Sequence, residues 1–245
     1  MPAMGLRLSD LTWLEAERAL GPGTVVVLPL GAAAKEHGPH LSLGNDLLLV
    51  EHLAARVLER ADVVVAPALP YHFYPAFVEY PGSTTLRLET ARDLTIDVVL
   101  SLARHGPRRF YVLNAGVSTV RALEPAAAAL AAEGVLLRFT DLLAALEPVA
   151  AGVEEQEGGT HADELETSMM LVIAPDTVDM GRAVKDYTPG EGPLTRDPRG
   201  PGKYSPTGTW GDPTLATRAK GERLIAGLVE AILRDVEATR TAPLP

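Results

Sequence analysis

The chain has 245 residues, 47% of them hydrophobic, and carries 32 Asp and Glu against 22 Lys and Arg, a formal net charge of −10 at pH 7. That size and apolar content suit one large α/β domain over 1–245, while the acidic balance argues against a nucleic-acid partner, which needs a basic face for phosphates, and disfavours acidic small substrates. Cysteine is absent, which removes disulfides, thiolate ligands and thiol nucleophiles and leaves any metal to His, Asp and Glu.

In chain order, residues 1–7 lack the apolar core of a signal peptide and no apolar run is long enough to span a bilayer, so a cytoplasmic protein is expected. A first helix is predicted over 13–20, with Thr12 and Glu15 at capping-box spacing and Gly21-Pro22-Gly23 as its stop. Residues 24–29 are apolar on both faces and read as a buried parallel strand. The loop behind it carries Glu36, His37, His40 and Asp46, a mixed nitrogen and oxygen donor set suited to zinc, manganese or another divalent first-row metal. A helix over 46–60 follows, which leaves Asp46 open to a second role as an ordinary N-cap.

Residues 63–66 read as a second buried strand. The passage 67–81, with Tyr71, Phe73, Tyr74, Phe77 and Tyr80, is the densest aromatic stretch and serves either as a pocket wall or as a patch between subunits. A strand over 83–88, a helix over 90–105, a strand over 109–113, a helix over 120–133 and a strand over 135–139 continue the alternation. Segment 147–160 is acidic and glycine-containing and reads as mobile. A helix over 161–173 places His161, Glu164, Thr167 and Ser168 along one side. Segment 176–209, rich in Pro and Gly and anchored by Tyr187, Tyr204 and Trp210, reads as a lid or subunit contact, and a last helix covers 215–239. Strands alternating with helices predict a three-layer α/β/α sandwich with a mainly parallel central sheet, whose ligand site collects at the carboxyl ends of the strands, after Pro29, Ala66 and Leu113.

Four stretches carry a resemblance: His37-Gly38-Pro39-His40-Leu41 with Asp46 closing the loop, Tyr80-Pro81-Gly82-Ser83, His161-Ala162-Asp163-Glu164-Leu165-Glu166-Thr167-Ser168, and Gly211-Asp212-Pro213-Thr214-Leu215-Ala216-Thr217. Together they resemble the creatininase family of metal-dependent amidohydrolases over nearly the whole chain. The resemblance implies two divalent metals bridged by water, with Asp46 touching both and His37 a ligand. It implies a glutamate ligand where Lys35 stands, a place that Glu36 can take by a shift of register. It implies a histidine and a carboxylate where this chain has Gly116 and Ser118, and Glu155 or Glu157 is a weaker source of the missing carboxylate. The ligand set left is Glu36, His37 and Asp46 around one ion, completed by water or His161; a Lys35 ammonium filling the hollow between them would remove the hydrolase reading and leave only the architecture.

The resemblance gives His161 the role of proton shuttle between the attacking water and the leaving nitrogen, with helix capping as the structural alternative. Asp163 stands where the family has glycine. His40, Glu164, Tyr74 and Trp210 are candidates for contacts with substrate or with the ligands. Glu164 and Glu166 are expected to orient neighbours or form salt bridges, His52 and His105 to be structural, and His72 to be a weak substrate candidate. Two functions follow: a metal-dependent amidohydrolase acting on a small cyclic or linear amide, or a non-catalytic binding or assembly protein that has lost the binuclear site. The resemblance also implies a homo-oligomer, often a hexamer.

Overall fold

The computed structural model describes residues 4–245. Five parallel strands form its main sheet in the order β1-β3-β2-β4-β5: β1 (Leu6–Arg7), β2 (Val25–Leu30), β3 (Val64–Val65), β4 (Arg109–Asn114) and β5 (Leu136–Phe139). Between and after them run α1 (Trp13–Ala19), α2 (Asn45–Leu58), α3 (Leu88–Ala103), α4 (Val120–Ala132), α5 (Leu142–Ala150), α6 (Glu164–Ile173) and α7 (Arg218–Thr241).

Alternation along the central strands explains the layers, because neighbouring residues of a strand point to opposite faces. Val25, Val27, Tyr111 and Leu113 pack with α2, α5, α6 and α7, and Val26, Leu28, Phe110 and Val112 pack with α1, α3 and α4. Burial on both faces makes these strands continuously apolar, the pattern of a sheet covered by helices on each side. Pro29 is tolerated in central β2 because its outward side faces the place where β3 has already ended. Its carbonyl accepts from Leu69 N at 2.8 Å there, and no ladder bond is lost by the missing N–H.

The three-layer parallel architecture agrees with the sequence, but several elements differ. The predicted strand over 83–88 is a loop held by Thr84 N to the Ala34 carbonyl and Leu86 N to the His72 carbonyl, and α3 begins at Leu88. Helix α5 occupies the start of the segment read as mobile, and the backbone N–H groups of Glu155 and Gln156 are fixed on Glu164 Oε2 at 2.9 and 2.8 Å. Helix α6 starts three residues later than predicted: the Asp163 side chain accepts from Leu165 N and Glu166 N as its N-cap, so His161 lies outside the helix and off the proposed stripe. The 176–209 segment contains a small parallel pair, β6 (Leu194–Thr195) with β7 (Lys203–Tyr204). The last helix is capped by Thr217 and starts at Arg218.

Candidate active site

Gly31 ends β2 where any side chain would strike the Asp46 carbonyl and the Val50 side chain, so α2 starts directly beside the strand end. Gly44 is the N-cap of that helix and offers no side-chain bond, while Asp46 in the first turn points inward instead of capping. The loop between is tied down by Lys35 N on the Leu43 carbonyl at 3.0 Å and Glu36 N on Ser83 Oγ at 2.9 Å. The second bond gives the Tyr80-Pro81-Gly82-Ser83 stretch its purpose. Gly38, at φ 69°, makes the turn between Glu36 and His40 that a side chain would strain.

Lys35 is 5% exposed, and its Nζ lies 2.7 Å from Asp46 Oδ2. The same Nζ is 4.8 Å from the centre of the Phe77 ring and 5.6 Å from that of Tyr74. His37 Nε2 lies 2.8 Å from the other Asp46 oxygen, Oδ1. Burial alone would push the Asp46 carboxyl up, but Lys35 and His37 outweigh it and hold the group well below the usual carboxylate range. His37 Nδ1 is 2.9 Å from the Lys35 carbonyl and Nε2 is 2.8 Å from Asp46 Oδ1; both partners accept, so the ring is held at both nitrogens, with Nε2 the one directed into the site.

His161 reaches the same place from the other side of the molecule. Its backbone pairs with Trp210, whose N–H donates to the His161 carbonyl at 2.8 Å. Its Nε2 lies 2.9 Å from the Glu36 carbonyl and 3.1 Å from Glu36 Oε2, which assigns the hydrogen to Nε2 and leaves Nδ1 facing Glu166 Oε2 at 3.8 Å. The ring packs 4.4 Å from Phe77 and 4.9 Å from His37, centre to centre. Ala162, next in the chain, adopts φ 49°, a strained conformation for a residue with a side chain. There its N–H donates to Glu166 Oε2 at 2.6 Å. Burial pushes the Glu166 carboxyl up to about 7, with His161 and Lys35 opposing and Asp46 adding to the rise.

One ligand atom each from His37, His161 and Glu166 lies within 4.8 Å of the others, close enough to hold a metal ion. The structure thus joins His37 and His161, both read from sequence, to Glu166, which was read only as an orienting or salt-bridging group. The signal that would have found it is position: five residues beyond His161, one turn into α6 and facing inward. Glu36 does not shift into the place of Lys35. Its carboxylate accepts the Gly38 N–H and meets His161, while Asp46 is paired with Lys35 and His37. Glu164 is fully buried in a salt bridge to Lys220, away from the trio. His40 is buried on Thr167 Oγ1 at 2.8 Å, and burial, aided by His37, lowers it to about 4. His72 is buried on Thr95 and does not reach the cavity.

Above the trio opens a cavity of about 650 Å³, lined among others by Lys35, Tyr74, Phe77, Leu146, Glu166 and Trp210. Its lining is mostly apolar, with Lys35, His161, Asp163 and Glu166 among its polar groups, as ligand sites commonly are. Tyr74 and Trp210 line it, and Tyr187 packs edge-on against Trp210 at 5.0 Å.

A parallel sheet covered on both faces, with imidazole and carboxylate groups converging beyond its carboxyl edge under an apolar cavity, defines an α/β protein with a ligand site at the strand ends. The family model described as creatinine amidohydrolase matches residues 9–236, and the chain belongs to the creatininase family. It is 30% identical to the creatinine amidohydrolase of Pseudomonas putida, covering 95% of this chain and 98% of that protein. It is also 30% identical to the mycofactocin precursor peptide peptidase of Mycolicibacterium smegmatis, over 84% of this chain and 81% of that one. A solved structure described as "Creatininase Mn" superposes with a TM-score of 0.83 at 27% identity, covering 97% and 100% of the two chains.

The residues present fit one divalent ion. His161 has its far nitrogen held by the Glu36 carbonyl, which leaves Nδ1 free to ligate, Glu166 adds a carboxylate, and His37 Nε2 would join them by giving up its contact with Asp46 Oδ1. They do not fit a second ion on the other side of Asp46. Lys35 stands there, Gly116 offers no donor, and Ser118 Oγ donates away from the site to the Phe73 carbonyl at 3.0 Å.

Proposed function

We propose that this chain is a single-domain hydrolase of C–N bonds in a small amide or a short peptide end, using one divalent cation, Zn or Mn, held by His37, His161 and Glu166. The observation that carries this reading is the convergence of those three side chains, with His161 and Glu166 lining a mostly apolar cavity. A cation held there supplies Lewis acidity, which acidifies water and polarises a carbonyl.

The chain's own residues would do the rest. The cavity wall binds the apolar part of the substrate and keeps bulk water from the floor. His161, with Nε2–H fixed on the Glu36 carbonyl, presents Nδ1 on the side of Glu166, where both would hold the ion. Asp46 sets the His37 ring.

Metal analysis of protein purified without chelator tests the reading, together with melting temperature in EDTA and in added Zn or Mn. Wild type should contain metal and melt higher when loaded, and His37→Ala and Glu166→Ala should lose both effects. A metal-free preparation indifferent to added ions would overturn it.

A second reading, a non-catalytic binding or assembly protein of the same fold, is favoured by the Lys35–Asp46 pair and by Gly116 and Ser118. It predicts that neither variant changes the response to metal. A cytoplasmic homo-oligomer, hexameric as often in the family, belongs to both readings. Exposed Trp13 and Leu14 on α1, and Tyr71 and Val78 near the site loop, are suited to contacts between copies.

A further inference from the structure

We infer that the Lys35 side chain serves as a built-in cation in place of a second divalent ion, so that each chain takes at most one ion. The first support is geometric. Lys35 Nζ lies 2.7 Å from Asp46 Oδ2 and so closes that oxygen to a cation on its side, while Asp46 Oδ1 faces His37. A buried carboxylate needs such a partner, because leaving its charge unpaired in a dry site is costly.

A second observation is independent of that ion pair. Lys35 lies under an aromatic lid, its Nζ facing the rings of Phe77 and Tyr74, an arrangement that favours a cation held by the protein itself. Tyr74 is 1% exposed, and its ring fills the space beside Lys35. Its room comes from Gly116. A Cβ added at 116 would lie 3.1 Å from the Tyr74 ring and 2.7 Å from the Thr119 methyl. A donor side chain at 116 and the ring of Tyr74 therefore compete for one space. Lysine at 35, tyrosine at 74 and glycine at 116 form a mutually consistent set that closes this side of Asp46.

Lys35 acts through Asp46 as a positioning residue. It holds the carboxylate so that Oδ1 meets His37 Nε2, and it gives the cavity floor a positive charge that chelators cannot remove.

This inference extends the single-ion reading above, and its test separates the two. Wild type, Lys35→Glu and Lys35→Gln are incubated with excess Mn or Zn and desalted. Bound metal is then counted by elemental analysis, and melting temperature is read in EDTA and in metal. Lys35→Glu should bind one ion more per chain than wild type and show a larger metal-dependent rise in melting temperature. Lys35→Gln, which keeps a neutral side chain of similar size, should melt below wild type in EDTA and recover part of the loss in metal, because a cation can then reach Asp46. Wild type binding two ions per chain would overturn the inference while leaving the hydrolase reading in place. Wild type binding none, with Lys35→Glu binding one, would support the inference and remove the single-ion reading. A Lys35→Glu variant that folds without extra metal, or a Lys35→Gln variant that melts like wild type in EDTA, would overturn it.

Discussion

At the scale of single residues, the site is a set of buried charges whose partners decide their state. Glu166 is the clearest case, since its carboxyl is raised by burial from the ordinary 4.5 to about 7 in the fold. A raised carboxyl favours the protonated native form. Its contribution to stability is complete below about 4.5 and is lost as pH rises through about 7. In EDTA, Glu166→Gln should therefore flatten the decline in melting temperature between mildly acidic and alkaline buffer, and a curve parallel to wild type would contradict this. His72 works in the opposite direction: burial lowers it from 6.5 to about 4, so its contribution is present above 6.5 and is lost as pH falls toward 4. His72→Gln should shift the acid-unfolding midpoint to lower pH in a circular-dichroism titration.

At the scale of elements, α6 links the site to the core, and its first turn is where the two meet. Asp163 caps it through two backbone N–H groups, and Asp163→Ala should cost about 1 kcal/mol in urea unfolding, as for other lost N-caps. Glu164 is fully buried, accepts from Glu155 N and Gln156 N, and pairs with Lys220 of α7. Removing one member of such a pair leaves the other unsatisfied, so Glu164→Ala should cost about 3 kcal/mol or more. A double-mutant cycle with Lys220→Ala should recover a coupling well above that of an exposed pair; additive effects would show that the bridge contributes little. Because α6 also carries Glu166, loosening its first turn should weaken metal retention before it unfolds the protein.

At the scale of the whole molecule, two cores lie on opposite faces of one sheet, and the site is built from loops that leave its carboxyl edge or return to it. Leu123 is fully buried in the core under α4, and Leu123→Ala should destabilise by about 2 to 5 kcal/mol while leaving metal content per folded chain unchanged. A loss of metal in parallel with stability would mean that the site and this face are more tightly coupled than the layering implies. Light scattering coupled to size exclusion should report an oligomer, and Trp13→Glu, on an α1 with no buried residue, should weaken it if that face joins copies.

Much of this was determined by sequence alone, because strand and helix periodicities are local and the family's motifs are short and contiguous. The parallel sandwich, the Thr12–Glu15 capping box and the His37-bearing loop behind β2 are legible in the order of residues, whereas His161 was placed inside a helix that starts only at Glu164. What only the tertiary structure decided is which side chains meet. Glu166 joins His37 because α6 begins at Glu164 and aims its first turn at a loop more than a hundred positions earlier, and Lys35 reaches Asp46 because Gly31 lets α2 start against the strand end. Local pattern fixes the faces of elements; the pairing of charges across them depends on close packing, and packing exists only once the chain has folded.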